Sequence, residues 1–199
     1  MIHEIIRPET QLTPAISAIK WQTSRRPTAV SVRRATDADA AVMAHISRHG
    51  FADAHATAFQ SRSDLELYLS DSFTKTQIQS EISAGDNIFL VAESDAEVVG
   101  TVRLSQAPPP QRIPLTAAVE LGRLYMRPAY IGQGIGSALM LRAMETAQDT
   151  GFHQCWLAVW EGNERAIQFY RQWDFRVVGT VSLPVGQSCP YGLVMARSL

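Results

Sequence analysis

Residues 119–147 read V-E-L-G-R-L-Y-M-R-P-A-Y-I-G-Q-G-I-G-S-A-L-M-L-R-A-M-E-T-A, and this stretch predicts a strand, a glycine-rich turn and a helix. The first eight residues are mostly apolar and suit a strand, which Arg127-Pro128 ends because proline cannot continue a ladder. Three glycines, Gly132, Gly134 and Gly136, then fall within five positions. The apolar residues after the turn recur at helical spacing: Ile135, Leu139, Met140, Ala143, Met144 and Ala147.

The turn is a candidate anion site. A glycine-rich turn that feeds a helix N-terminus presents bare N–H groups and the positive end of the helix dipole. The dinucleotide fingerprint G-x-G-x-x-G fails here, because Ser137 or Leu139 stands where the third glycine is needed. A nucleotide-binding loop of the G-K-(S/T) type also fails, since no lysine is nearby. Phosphate binding and a plain tight turn both remain open from these residues.

The same stretch resembles the acetyl-CoA-binding motif of the GNAT N-acetyltransferase superfamily, (Gln/Arg)-x-x-Gly-x-(Gly/Ala), with Gly134 and Gly136 at its two small positions. Ile131 stands where that family has Gln or Arg, and Gln133 is the candidate replacement. The resemblance implies acetyl-CoA as cosubstrate, its pyrophosphate held by backbone amides. The cofactor-binding residues that it implies are Leu124, Tyr125, Met126, Ile131, Gly132, Gln133, Gly134, Ile135, Gly136, Ser137 and Asn163.

Length and composition bound the class of protein. We expect residues 1–28 to form an N-terminal extension, with a short helix near Thr13-Pro14, and residues 29–199 to form one domain. A net charge of −1 gives no reason to expect a nucleic-acid partner. The sequence has no apolar run long enough for a bilayer and no signal-peptide pattern, so we expect a cytoplasmic protein without a membrane partner.

Alternating apolar residues predict the strands. Residues 87–93 and 98–104 predict a β-hairpin, and 30–34, 154–160, 175–181 and 191–197 predict further strands. A hairpin followed by two strand–helix alternations predicts an α/β (mixed α+β) fold: a single mixed sheet of about seven strands with helices on both faces. This order is similar to the GNAT fold. The closing strands, with their turn at Pro184 and Gly186, offer an edge through which a homodimer is possible.

Capping patterns predict where the helices begin. Thr36 with Asp39 predicts a helix that ends near Gly50, and residues 49–62 are expected to form a loop or a broken helix. Ser63 and Thr74 are the predicted N-caps of two later helices. In the strand 154–160, Trp156 and Trp160 are four residues apart and indicate packing on the sheet.

The resemblance also implies two catalytic residues. An amine acceptor is protonated at neutral pH and needs a base, for which Glu120 stands at the family's position on the strand before the turn. Tyr170, in A-I-Q-F-Y-R-Q-W-D-F, matches the family's tyrosine that protonates the departing thiolate. From the residues alone, Glu120 is equally a salt-bridged strand residue, Tyr170 a packing residue and Asn163 a simple helix N-cap.

Four residues after the first helix are candidates for acceptor recognition, because that segment borders the acceptor site in the GNAT family: His49, Phe51, His55 and Phe59. His45 and His49 have a spacing that can chelate a metal, but no third ligand is evident, and we expect no metal.

The resemblance therefore predicts an N-acetyltransferase that transfers the acetyl group of acetyl-CoA to a primary amine of an unidentified small molecule or peptide. An acyl-CoA-binding sensor that has lost turnover is the alternative, and Ile131 is the residue that favours it. A phosphate-binding α/β enzyme unrelated to CoA is a third hypothesis.

Overall fold

The computed structural model describes residues 29–55, 57–59, 61–183 and 191–199. The predicted N-terminal helix and the predicted turn at Pro184 and Gly186 lie outside these residues. Twelve helices and strands follow one another in the described part: β1 Val30–Arg34, α1 Ala40–His55, α2 Arg62–Ser72, α3 Lys75–Ser83, β2 Asn87–Ser94, β3 Glu97–Ser105, β4 Ala118–Met126, α4 Ile135–Asp149, β5 Gln154–Trp160, α5 Glu164–Gln172, β6 Arg176–Ser182 and β7 Tyr191–Ser198.

The seven strands form one mixed sheet in the order β1-β2-β3-β4-β5-β7-β6, which confirms the predicted fold class. Neighbouring strands are antiparallel except β4 and β5, which are parallel. The hairpin between β2 and β3 turns through Asp95 and Ala96, both with positive φ, as the primed hairpin turns require. The only parallel pair in the described sheet is therefore the central one.

Alternation along β2 places helices on both faces of the sheet. Leu90 belongs to a buried cluster with α4, whereas Phe89 belongs to a second cluster with α1 and α3. On the second face, Trp156 of β5 packs with Ile113 from the loop that follows β3. Because successive strand residues point to opposite faces, each apolar residue of β2 finds a helix to cover it.

The first helix is longer than the sequence predicted. We expected it to end near Gly50, but α1 continues to His55. A Cβ atom on Gly50 would lie 2.6 Å from the ring of Tyr125, so the glycine makes room for that ring. Phe51, the next residue, is buried and holds the last turn of the helix against the protein. Gly50 therefore allows close packing within the helix and does not mark the end of the helix.

Two further capping predictions can be compared with the structure. Thr74 caps α3 as predicted, its hydroxyl accepting from the Gln77 N–H at 3.1 Å. The predicted cap at Ser63 was wrong, because Ser61 caps α2 and accepts from the Asp64 N–H at 3.1 Å. Ser61 has the extended backbone of an N-cap residue, whereas Ser63 already lies within α2.

Candidate functional site

The central strands β4 and β5 separate along their length. Their pairing covers only three residues of each strand and ends at Glu120 and Trp156. In the pairing of β4 with β3, a bulge adds one residue to β4, and Arg123 there has a φ of 54°. A bulge bends its strand and increases the twist. Beyond it a cleft of about 910 Å³ lies between residues 121–126 of β4 and residues 158–160 of β5.

One end of the cleft is the glycine-rich turn, and residues 131–137 are called the turn end below. Gly132 and Gly134 have φ values of 79° and 84°, which is the left-handed region that glycine tolerates best. No atom of the described residues lies within 4 Å of a Cβ built on either of them. The glycines are therefore needed for backbone conformation, and the space in front of the turn is open.

The helix α4 begins directly at this turn, with Gly134 as its N-cap. The first amides of an α-helix have no carbonyl partner within the helix, and they carry the positive end of its dipole. Gly136 and Ser137 line the cleft, and Gly136 allows the Met126 side chain to approach to 3.0 Å from where a Cβ would stand. This end of the cleft can therefore hold an anion with backbone atoms alone.

The predicted residues of the turn do not all face the cleft. Ile131, Gly132, Gly134, Gly136 and Ser137 line it. The side chain of Ile135 is buried in the core beneath α4. Gln133 donates its side-chain amide to the Ala129 carbonyl at 2.7 Å and so braces the turn. The Gln133 side chain is thus bonded to the turn itself and is not among the residues that line the cleft.

The helix α5 contributes two predicted residues to the cleft, Tyr170 and Asn163. The ring of Tyr170 packs against Phe169 and Phe175, with centroid distances of 5.7 and 5.9 Å. Burial raises the pKa of the Tyr170 hydroxyl and so favours the neutral phenol further. Asn163 caps α5, its oxygen accepting from the Ala166 N–H at 3.1 Å. Its NH₂ group is left for other partners, so the capping and binding interpretations are compatible.

The bulged segment of β4 lines the cleft through Leu124, Tyr125 and Met126. Backbone groups of β4 that point toward β5 have no ladder partner beyond Glu120. The Tyr125 ring packs in the opposite direction, against Gly50 and edge-on to Phe73. The burial of Tyr125 raises the pKa of its hydroxyl.

The predicted base, Glu120, is part of an ion-pair network. Arg103 donates to its carboxylate at 3.0 Å, and Arg123 donates to Glu81 at 2.6 and 2.9 Å. Arg103 also lies 3.9 Å from Glu81, which joins the two pairs. The exposed fraction of each of the four side chains is between 14% and 20%. Glu120 is not among the residues that line the cleft. The charges of two arginines and two glutamates balance one another beneath the bulge. Glu120 is therefore a salt-bridged strand residue, the alternative considered for it above.

A second part of the cleft lining, called the α1 end below, is formed by the last turns of α1. His49 and His55 line it, together with Trp160 of β5. The other two acceptor candidates lie behind this wall: Phe51 is 8% exposed, and Phe51 and Phe59 belong to an aromatic cluster with Phe73. The structure therefore separates the four predicted residues into two histidines that face the cleft and two phenylalanines that support them.

Sequence reasoning missed several residues of the α1 end. Trp160 was expected to pack on the sheet like Trp156, but it follows the last buried position of β5 and lies over Gly162, which has no side chain to obstruct the ring. Asp53 and Arg123 also line the cleft. The signal that could have identified these residues is their position in the fold, because ligands bind where neighbouring parallel strands end and diverge.

Two further expectations concern metal and membrane. Within the described ranges, no group of three or more histidine, cysteine, aspartate or glutamate residues could hold a metal ion. No helix in the part of the chain that the structure describes is both long enough and apolar enough to cross a bilayer.

Comparison with known proteins decides the family. A family model of the acetyltransferase (GNAT) family matches residues 50–175, well over half of the chain. The chain belongs to the GNAT acetyltransferase family. The matched range contains the divergent strands, the glycine-rich turn and most of α1's cleft-facing end.

Two relatives in sequence are informative. An uncharacterized N-acetyltransferase of Mycobacterium tuberculosis is 34% identical over 110 residues, which cover 55% of this chain and 66% of that protein. The present chain thus spans just under two thirds of that relative's length. A spermidine N(1)-acetyltransferase of Thermoplasma acidophilum is 25% identical over 155 residues, or 76% of this chain and 91% of that protein.

Solved structures of the family share the fold. The PaiA N-acetyltransferase of T. acidophilum, in complex with coenzyme A, has a TM-score of 0.69 at 22% identity and covers 86% of this chain and 99% of its own. The YncA putative acetyltransferase of Salmonella typhimurium, with its cofactor acetyl-CoA, has a TM-score of 0.62 at 21% identity, covering 86% and 95%. At these identities the likeness concerns the fold.

Proposed function

We propose that this chain is an acetyl-CoA-dependent N-acetyltransferase that acetylates a primary amine of a small molecule or peptide by direct attack. One observation carries the proposal. A single cleft between β4 and β5 joins the open amides of the turn end to the hydroxyl of Tyr170. An anion site and a proton donor that line the same cleft are what a thioester with a diphosphate tail requires.

The turn end would bind the pyrophosphate of acetyl-CoA through backbone amides of residues 132–137. Support comes from the positive φ of Gly132 and Gly134 and from the open space in front of them. The pantetheine arm would run along the unpaired edge of residues 124–126, beside the free amide of Asn163. A backbone N–H of that edge would polarise the thioester carbonyl as an oxyanion donor.

Tyr170 would act on the leaving group. The acceptor nitrogen attacks the thioester carbon, a C–N bond forms and the C–S bond breaks. Tyr170 gives its hydroxyl proton to the sulfur and takes a proton from the new amide nitrogen, so it returns to its starting state. Burial raises the pKa of the Tyr170 hydroxyl, so the group is a neutral phenol that has a proton to give when the thiolate forms.

The first test is calorimetric titration of acetyl-CoA into the purified chain, followed by release of the CoA thiol with a panel of amines. The panel starts with spermidine, because a relative is a spermidine acetyltransferase, and continues with lysine and a peptide with a free N-terminus. Saturable binding near micromolar Kd, together with thiol release by an amine, supports the proposal. Absence of acetyl-CoA binding at millimolar concentration contradicts it.

A cofactor-binding protein without turnover is the second candidate. Two observations favour it: Ile131 supplies no polar group at the mouth of the turn, and Glu120 is paired with Arg103. It predicts tight acetyl-CoA binding without thiol release for every amine in the panel. Measured acetyl transfer to any amine eliminates it.

A further inference from the structure

The residue at the end of α1, His55, faces the cleft and has a fixed ring. It is partly buried and lies between two aromatic rings. Its imidazole stacks on Phe51 with a centroid distance of 4.1 Å and an interplanar angle of 15°, and the Trp160 ring lies 6.2 Å away on the other wall. The side chain therefore spans the α1 end of the cleft at the point where α1 approaches the end of β5.

Hydrogen bonding assigns the tautomer of His55. Its Nδ1 lies 3.0 Å from the carbonyl oxygen of Phe51, one helical turn earlier. A carbonyl only accepts, so Nδ1 carries the hydrogen and donates it. In the neutral ring, Nε2 then has the free lone pair. The ring is held by one nitrogen, and the other nitrogen is left to take a proton.

Burial also sets the charge of this ring. Desolvation lowers the pKa of His55 below its ordinary value of 6.5, and the bond to the Phe51 carbonyl only partly opposes this. His55 is therefore neutral at pH 7 and able to accept a proton. The other titratable side chains that line the cleft are His49 and Asp53 on α1, Arg123 and Tyr125 on β4, and Glu164, Arg165 and Tyr170 in the α5 region.

His49 shows what distinguishes His55. It makes the same type of bond, from Nδ1 to the carbonyl of His45 at 2.9 Å. However, His49 is exposed and packs beside another imidazole, that of His45. Asp53 is likewise exposed to solvent. The only cleft-facing histidine in the described part that is both oriented and desolvated is His55.

We propose that His55 is the general base of the acetyl transfer, in place of Glu120, and this rests on the proposed function. Nε2 removes one proton from the acceptor ammonium, whose freed electron pair then attacks the thioester carbon. His55 becomes an imidazolium that still donates from Nδ1 to Phe51. It returns the proton to water after the thiol has left, so the net reaction releases one proton.

The test is His55→Gln, because glutamine can still donate to the Phe51 carbonyl but cannot take up a proton. We expect kcat/KM to fall about 100-fold or more, with the acetyl-CoA Kd within twofold of wild type. In the wild type, kcat/KM falls at acid pH with an apparent pKa below 6.5, because a protonated imidazole cannot act as base. That acid limb disappears in the variant, and added imidazole partly restores the rate.

His153→Gln is the matched control, an exposed histidine before β5, outside the cleft lining. It should leave both the rate and the pH profile unchanged. An unaltered acid limb in His55→Gln, or a loss of rate that imidazole does not restore while the Kd is intact, overturns the role of His55. If the wild type transfers no acetyl group to any amine, the proposed function has failed instead. Weakened acetyl-CoA binding in His55→Gln would also count against a purely proton-transferring role.

Discussion

The two ends of the cleft are built in different ways. The turn end consists of consecutive residues, 131–137, and presents mainly backbone atoms. The α1 end brings together side chains from α1, β4 and β5, which are up to about one hundred residues apart in the chain. A backbone site depends on glycines and a helix start, which are visible in sequence. A side-chain site depends on which distant segments of the chain meet. Its residues can therefore vary, and the acceptor that it suits can vary with them.

Of the substitutions compared below, the one at Tyr170 is expected to have the largest effect. The substitution Tyr170→Phe removes only the hydroxyl and keeps the ring packing with Phe169 and Phe175. We expect kcat to fall about 100-fold, with an unchanged acetyl-CoA Kd, in steady-state kinetics and calorimetry. Tyr191→Phe, at an exposed tyrosine of β7, is the control. A loss of kcat below threefold would show that Tyr170 is a packing residue.

At the α1 end, Gly50→Ala should disturb the acceptor more than the cofactor. Alanine favours the helix by up to about 1 kcal/mol, but its Cβ would collide with the Tyr125 ring at 2.6 Å. We expect a roughly tenfold lower kcat/KM for the amine, because overpacking displaces its neighbours, and a Kd for acetyl-CoA within threefold. A Gly50→Ala/Tyr125→Leu double variant should be less impaired than the two single losses combined. Simple additivity would mean that the contact does not matter.

At the turn end, Gly134→Ala should weaken binding of the cofactor more than binding of the acceptor. Forcing a Cβ into φ 84° costs about 1 kcal/mol, which corresponds to roughly fivefold weaker acetyl-CoA binding if the turn opens. The acceptor KM should not change. Gly151→Ala is a close control, since Gly151 has a φ of 90°, open space around it and a position far from the cleft. If both variants lose thermal stability but neither loses affinity, the turn does not hold the cofactor.

Ile131→Arg tests the same end by addition. A guanidinium at the mouth of the turn should tighten acetyl-CoA binding about threefold at low salt, since an exposed ion pair contributes about 0.2–1 kcal/mol. The gain should vanish in 0.5 M salt, where the Debye length is only a few ångströms. Ile131→Leu keeps the side chain apolar and should bind like wild type. Equal affinity in the Arg and wild-type proteins would place the phosphates away from residue 131.

The smallest effect on rate is expected at Glu120. Glu120→Gln should change kcat less than about threefold, because Arg103 already holds the carboxylate at 3.0 Å. The free energy of unfolding should fall by about 1 kcal/mol, because Arg103 loses a charged acceptor. A hundredfold loss of kcat with an intact fold would restore Glu120 as the base and remove the argument for His55.

The success of sequence reasoning follows the same division. The strand–turn–helix of residues 119–147 was predicted because glycine, proline and apolar spacing act locally. The length of α1 was not, because Gly50 is explained by the Tyr125 ring, seventy-five residues away. Likewise, no local pattern reveals that Arg103 pairs with Glu120 or that Trp160 faces His55. Sequence reveals local conformation well and long-range pairing poorly.

The short pairing of β4 with β5 has a consequence for synthesis of the chain. The strands β1 to β4 are complete before β5 leaves the ribosome, so β4 is temporarily an unprotected edge. Only three of its residues will ever gain a partner there. Exposed edges invite pairing between nascent chains, and α4, which follows directly, must cover the adjoining face first. Beyond these three residues, the edge that is exposed in the nascent chain stays unpaired in the finished sheet, where it lines the cleft.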